Sequence, residues 1–358
     1  MHDKWGVDLK SVFSEIIQFR GNHYDFGYRQ GELLKDSLIL QNRKKQWGSK
    51  SKLRNFITDA MVVKRIFLHF APRIWDELNG LADSLEMEMA DAVREFGGYY
   101  LEYGKSGCSI FTDTDYMIRN YDNDPLSYEG RYVLYQPTDQ GYAVIGPSMQ
   151  ITGRTDGINE KGLAMGYNLV NRVRSDDGFI CNMIGRIILE NCANVDQAIS
   201  LLKEIPHRRS FNYVLLDQRG ESIVVEASPR EIAIHQANFC TNHFNELKHE
   251  NRFRLDDSLQ RSQAMERQES STTDPYKAFR MMNDTDKGVF SKKYGAWAGT
   301  IHTAAYLPKE LKAWLALGGD MLPLIFDFDH WLKGENINIT RIKGELDTHL
   351  PFVNMEEI

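Results

Sequence analysis

"SGCSIFTDTDYMIRNYD", residues 106–122, holds the decision about this fold. Cys108 is followed by Ser109, Ile110 and Phe111, then by the polar turn Asp113-Thr114-Asp115, then by Tyr116, Met117 and Ile118. Apolar runs on either side of a short polar turn read as a β-hairpin. With the turn centred on Thr114, residues near 120 come to lie opposite Cys108, to within roughly two positions of register. That places Arg119, Asn120 and Asp122 around the thiol. A guanidinium at about 4 Å favours a thiolate by up to ~4 kcal/mol in a partly screened site, enough to make Cys108 a nucleophile. Strand alternation puts Arg119 and Asp122 on opposite faces, so both reach the sulfur only where the strand bends or bulges. The plain alternative is a hairpin with a small buried hydrophobe and solvated charges.

The rest of the chain bounds what such a thiol can serve. At 358 residues and 42% hydrophobic content it is long enough for one large domain or two ordinary ones, with a globular core. The net charge of −7, from 43 basic and 50 acidic residues, gives no electrostatic reason to expect nucleic acid or an anionic membrane as partner. Small molecules are the default partner, and self-association is left open. The first twenty-five residues alternate charge and apolar character, so no secretory leader is expected, and no apolar run reaches the length of a bilayer span. Cys108, Cys181, Cys192 and Cys240 lack CxxC spacing, which argues against a zinc ribbon or a disulfide framework and for a reducing cytoplasm.

Residues 1 to about 105 read as mainly helical. Ile74, Leu78, Leu81 and Leu85 follow helical spacing behind Pro72, and Val93, Phe96 and Tyr100 repeat the pattern. Beyond Cys108 the texture changes to short β-rich runs bounded by Gly, Asp or Pro: "RYVLYQP", "GYAVIGP", "KGLAMGYNLV", "SFNYVLLDQ", "SIVVEAS" and "EIAIHQANFCTNHF". One helix interrupts them at "NVDQAISLLKEI", with Asn194 as its N-cap and Ala198, Leu201 and Leu202 on the buried stripe. "ESSTTDP" (269–275) reads as a loop, and "GTIHTAAYL" with "ELKAWLALG" as the last strand pair. Strands in quantity with helices between groups of them predict stacked antiparallel sheets covered by helices, an α+β architecture.

"GCSI" followed by "IRNYD" resembles the nucleophile hairpin of the cysteine N-terminal-nucleophile (Ntn) amidases: choloylglycine hydrolase, penicillin V acylase, isopenicillin-N acyltransferase and N-acylethanolamine acid amidase. Three further stretches agree in order. "FRGNHYDFGYRQGELLKDSL" (19–38) resembles the start of the isopenicillin-N acyltransferase branch. "TDGINEKGLAMGYNLV" (155–170) is similar to the Asn-Glu-Lys-Gly-Leu segment of the superfamily, and "FCTNHF" (239–244) to the Thr-Asn-His-Phe segment of the acyltransferase branch. Four motifs in one order over nearly the whole chain are hard to obtain by chance.

The resemblance implies an Ntn fold, two antiparallel sheets stacked between helical layers, made as a precursor that cuts its own Gly107–Cys108 bond. Residues 1–107 would form a helical N-terminal segment and 108–358 the αββα domain. The thiol would attack the preceding carbonyl, and water would then release an α-amine on Cys108 that serves as base for the thiol. The pattern places Arg119 and Asp122 beside the nucleophile, Asp122 holding the α-amine. Asn168 and Asn242 match positions whose amides order the site, with Asn242 the oxyanion donor. The spacing from Asn159 to Asn168 is one residue shorter than in the bile-salt branch. Arg261 is a loose match to the family's late arginine, or one more charge on a solvated helix. No cofactor is implied. Two other readings stay open: a Cys–His pair using His243 or His302 without any cleavage, and a non-catalytic member of the fold that binds a small ligand. No His spacing suggests a metal.

Overall fold

The computed structural model describes residues 9–47, 60–99, 106–170, 175–251, 254–269, 274–296 and 298–355. Its strands are β1 (Leu9–Gly21), β2 (Ser109–Asp113), β3 (Tyr116–Asn123), β4 (Arg131–Pro137), β5 (Val144–Met149), β6 (Gly153–Arg154), β7 (Asp156–Asn159), β8 (Ala164–Leu169), β9 (Phe211–Leu216), β10 (Ser222–Ala227), β11 (Ile232–Gln236), β12 (Phe239–Cys240), β13 (Gly299–Leu307), β14 (Lys312–Leu317), β15 (Leu324–Asp327) and β16 (Arg341–Asp347). Its helices are α1 (His23–Leu34), α2 (Leu38–Trp47), α3 (Ala60–Phe70), α4 (Pro72–Ser84), α5 (Met89–Phe96), α6 (Cys181–Asn191), α7 (Val195–Glu204), α8 (Asp256–Gln268), α9 (Pro275–Asn283) and α10 (Phe328–Leu332).

The strands form two sheets. The larger runs β11-β10-β9-β8-β7-β5-β4-β1-β16 with β6 beside β5, and the smaller runs β12-β2-β3-β13-β14-β15. Strand alternation then creates three apolar layers. Tyr132, Leu134, Ile145 and Val214 of the larger sheet meet Met117, Ala304, Tyr306 and Leu315 of the smaller between the sheets. The opposite face of the larger sheet, with Val133, Val144, Met165 and Leu215, is covered by the helices through Phe26, Leu78, Leu81, Phe96 and Ile184. The outer face of the smaller sheet, with Phe111, Ile118, Ala305 and Trp314, is covered by Met265 of α8 and Phe279 and Met282 of α9. This is the expected four-layer α+β arrangement.

Several local expectations hold. Pro72 opens α4, and the Asn194 side chain caps α7 by accepting from Gln197 N. Others need correction. The N-terminal segment is not helical throughout, because β1 inserts between β4 and β16 in the larger sheet. Its polar exposed positions mask the alternation. The β1–β4 pair is parallel, so that sheet is mixed. "GTIHTAAYL" and "KAWLAL" do pair, but β15 and β16 follow them. β16 alternates exposed and buried positions with charged residues on its open face, which hides it from a hydrophobicity reading. Tyr100 and most of 269–275 lie outside the described residues. None of the described helices is long and apolar enough to cross a membrane.

Close contacts hold the segment before Cys108 together and tie it to the rest. A side-chain carbon at Gly27 would lie 1.9 Å from the Glu77 carbonyl oxygen, and one at Gly80 2.0 Å from that of Tyr24, so α1 and α4 touch backbone to backbone. The buried Arg186 of α6 then donates to Glu77 of α4 at 2.7 Å and to Glu190 at 2.6 Å, while the buried His23 of α1 bridges Asp139 and Glu190.

Candidate active site

β2 and β3 form the predicted hairpin, with Ile110 opposite Arg119 and Ser109 opposite Asn120 around a two-residue turn at Thr114-Asp115. Cys108 comes just before the first strand. Arg119 points between the sheets, whereas Asn120 donates to the Met282 carbonyl of α9 on the outer side. Arg119 and Asp122 therefore do occupy opposite faces. β3 stays regular against β2, and the irregularity lies in the neighbouring strand, where the β13 register shifts between Thr300 and His302.

The sulfur sits where both faces are in reach. Arg119 Nη2 donates to Cys108 Sγ at 3.3 Å. Asp122 meets the sulfur with its backbone carbonyl, at 3.7 Å, and not with its carboxyl group. That carboxyl accepts from Thr300 Oγ1 at 2.6 Å through Oδ1, and Oδ2 is buried with no hydrogen-bond partner among the described residues. Ser106 Oγ completes the surroundings of the thiol at 3.2 Å.

Arg119 is held by groups the sequence reading did not single out. Its Nη1 donates to Asp156 Oδ1 at 2.5 Å and its Nη2 to the Tyr167 carbonyl at 2.6 Å, with the rings of Tyr121 and Tyr167 each 5.0 Å from the guanidinium. Asp156 also accepts from Tyr306 OH at 2.7 Å and Thr155 Oγ1 at 2.6 Å. Asp156 lies in the "TDGINEKGL" segment; an acidic residue opening a strand of buried residues was the available clue.

Arg261 belongs to the site. From α8 it donates through Nη1 to the Cys108 carbonyl and to Ser109 Oγ, both at 2.7 Å, and through Nη2 to Asn242 Oδ1 at 2.8 Å. The solvated alternative is overturned, since Arg261 is only 4% exposed. Asn242 spends one N–H of its amide on the Leu169 carbonyl at 2.8 Å, which leaves a second N–H on the same nitrogen. Asn168 reaches the Cys240 carbonyl at 3.0 Å and ties β8 to β12; its bonded partner is not a group of Cys108.

Burial dominates the electrostatics. It pushes the Cys108 thiol above its ordinary pKa, with Arg119 pulling the other way and Asp122 adding to the rise. Burial likewise raises Asp122 to about 7, against the pull of Arg261 and the Thr300 hydrogen bond. For Asp156 burial acts upward too, but Arg119, with His302 and Thr155, outweighs it and holds the carboxyl well below the usual range. The site thus holds a neutral thiol, a carboxyl poised near neutrality, and one firm buried ion pair.

Among the described residues neither His243 nor His302 hydrogen-bonds the Cys108 sulfur. His243 Nδ1 contacts Thr241 Oγ1 at 3.1 Å and Ser258 Oγ at 2.9 Å. His302 stacks on Tyr121 with its Nε2 3.9 Å from Asp156 Oδ1, and burial lowers its pKa. Cys181, Cys192 and Cys240 are buried free thiols, and burial pushes each upward, the latter two to about 12.

Comparison with known proteins identifies the chain's relatives. The family model described as acyl-coenzyme A:6-aminopenicillanic acid acyl-transferase matches residues 111–321, more than half of the chain. Among curated proteins no sequence matches. Similar solved structures include penicillin V acylase from Agrobacterium tumefaciens, at 15% identity over 62% of this chain and 84% of that one, with a TM-score of 0.40. A mutant conjugated bile acid hydrolase from Clostridium perfringens shows 14% identity over 67% and 96%, TM-score 0.45. The Caenorhabditis elegans ortholog of N-acylethanolamine-hydrolyzing acid amidase shows 11% over 56% and 92%, TM-score 0.39. Likeness at this level says nothing of substrate, and the assignment rests on the family model. The chain belongs to the acyl-coenzyme A:6-aminopenicillanic acid acyl-transferase family.

Proposed function

We propose that the chain is a precursor that cuts itself between Gly107 and Cys108 and then hydrolyses, or transfers the acyl group of, a linear amide through a thioester on Cys108. In the cut, the sulfur bonds to the Gly107 carbonyl carbon as the C–N bond breaks and the thiol proton ends on nitrogen; water then opens the thioester. The new α-amine has an ordinary pKa near 8 and takes over as base. During turnover it accepts the thiol proton and returns it to the leaving amine. Water or a second amine then receives the acyl group.

The observation that carries this reading is the pair of groups divided between the two faces of β3. Arg119 waits at the sulfur, and on the other face Asp122 keeps a buried oxygen without a donor among the described residues. A free chain end sends its side chain and its amine in different directions, so a thiol at Arg119 and an ammonium at Asp122 are compatible on one residue. Asn242 and Arg261, linked to each other and to the Cys108 carbonyl, suit an oxyanion on the substrate. Residues 1–107 remain bound after the cut through β1, the buried Glu77–Arg186 ion pair and the His23 contacts with Asp139 and Glu190. Reduced thiols and the absence of a strong net charge suit a cytoplasmic enzyme of small molecules.

Intact mass tests the proposal. Processing gives pieces of 107 and 251 residues that stay associated, and Cys108→Ala gives one uncut, inactive chain. A single full-length mass after long incubation at neutral pH sinks the cleavage. Activity lost in His243→Ala and kept in Asp122→Asn would instead assign the base to histidine.

A further inference from the structure

The neighbours of the Cys108 sulfur are not equivalent in what they offer its proton. Ser106 Oγ lies 3.2 Å from Sγ and also donates to the Asp122 carbonyl at 3.0 Å. A hydroxyl carries one hydrogen and two lone pairs. Either atom of the Ser106 Oγ–Cys108 Sγ contact can donate; when the serine hydrogen is on the Asp122 carbonyl, Ser106 offers a lone pair to the S–H, while Arg119 donates to the sulfur at 3.3 Å. The Asp122 carbonyl is the weaker alternative acceptor at 3.7 Å.

Before the cut, the nitrogen of Cys108 belongs to a peptide bond and is no base. No histidine and no carboxylate hydrogen-bonds Sγ among the described residues. The uncut chain therefore needs a proton acceptor different from the one its product uses. Ser106 is in place for that step and lies on the departing side of the Gly107–Cys108 bond.

We infer that Ser106 is a catalytic residue of maturation alone, relaying the thiol proton to the Cys108 nitrogen during self-cleavage and taking no part in later turnover. The inference rests on the cleavage reading above. Its steps balance. As sulfur bonds to the Gly107 carbonyl carbon, the thiol proton passes to Ser106 Oγ. The serine's own hydrogen swings from the Asp122 carbonyl to the Cys108 nitrogen as the C–N bond breaks, and Ser106 ends unchanged. Water then gives hydroxyl to the Gly107 acyl group and hydrogen to sulfur.

The test follows freshly made full-length chain by intact mass. Ser106→Ala is expected to cut at least about tenfold more slowly than wild type, and Ser106→Thr, which keeps the hydroxyl, close to wild type. Once cut, Ser106→Ala should lose far less in kcat toward fatty-acyl p-nitroanilides, per cut chain, than it loses in cutting rate. An alanine variant that cuts at the wild-type rate overturns the inference. So does one whose cut form loses turnover in step with its cutting rate, the mark of a merely structural role. Should the alanine variant fail to fold, wild-type cleavage in D2O decides: slowing supports the relay and an unchanged rate overturns it. A wild-type chain that never cuts removes the cleavage reading itself, which is a separate result.

Discussion

Arg119 and Asp156 form a fully buried ion pair, Nη1 to Oδ1 at 2.5 Å, and this pair aims the other arm of the guanidinium at the Cys108 sulfur. Asp156 comes from β7 of the larger sheet and Arg119 from β3 of the smaller, so one contact spans the interior and sets the surroundings of the Cys108 sulfur.

Breaking that pair strands a buried charge. Asp156→Asn should lower the unfolding free energy by about 3–5 kcal/mol, measured by urea denaturation of the uncut Cys108→Ala chain. The same change in an otherwise wild-type chain should slow cleavage, since Arg119 loses its anchor. Unchanged stability would mean the guanidinium finds another partner.

Asp122 makes stability fall as pH rises. Its carboxyl has a pKa of about 7 in the folded uncut chain and about 4 when unfolded, so between those values the folded state holds the extra proton. The contribution is whole below about pH 4 and is lost as pH climbs through about 7, a matter of a few kcal/mol at most. Urea unfolding of Cys108→Ala near pH 5 and near pH 8 should show this loss, and adding Asp122→Asn should remove it. In cut wild type the new ammonium should hold Asp122 ionised and flatten the slope.

Asn242 tests the oxyanion assignment. Its second N–H is the group on offer, and removing one such donor costs about 3 kcal/mol of transition-state stabilisation. Asn242→Ala should lower kcat about a hundredfold with KM little moved. A change in KM alone would make Asn242 a binding residue.

The helical layer has its own weak point. Gly80→Ala would drive a methyl group to 2.0 Å from the Tyr24 carbonyl, where backbone has to move. A loss of at least about 1–3 kcal/mol is expected, read from the thermal transition.

The hairpin was legible because its information is local: apolar runs, a polar turn, and a period of two that carries Arg119 to one face and Asp122 to the other. The caps at Pro72 and Asn194 were legible for the same reason. β1 and β16 were not, since their open faces carry Ser11, Glu15, Arg341, Lys343 and Glu345, and pairing between distant strands reveals the sheet. Asp156 stood inside a quoted motif without a role, because its partner lies on another sheet. Arg261 was ambiguous: a charged residue on a polar helix looks the same whether it faces water or a carbonyl.

By itself the sequence determined the hairpin, the order of the motifs and the two-sheet class, all properties of residues near one another along the chain. Tertiary structure alone decided what surrounds that thiol. Arg261 and the Cys108 carbonyl it holds are 153 positions apart, and Asp122 and Thr300 are 178 apart. Such contacts depend on how two sheets and a helical layer settle against one another, which burial of apolar faces drives without direction and which strand pairing then fixes in register.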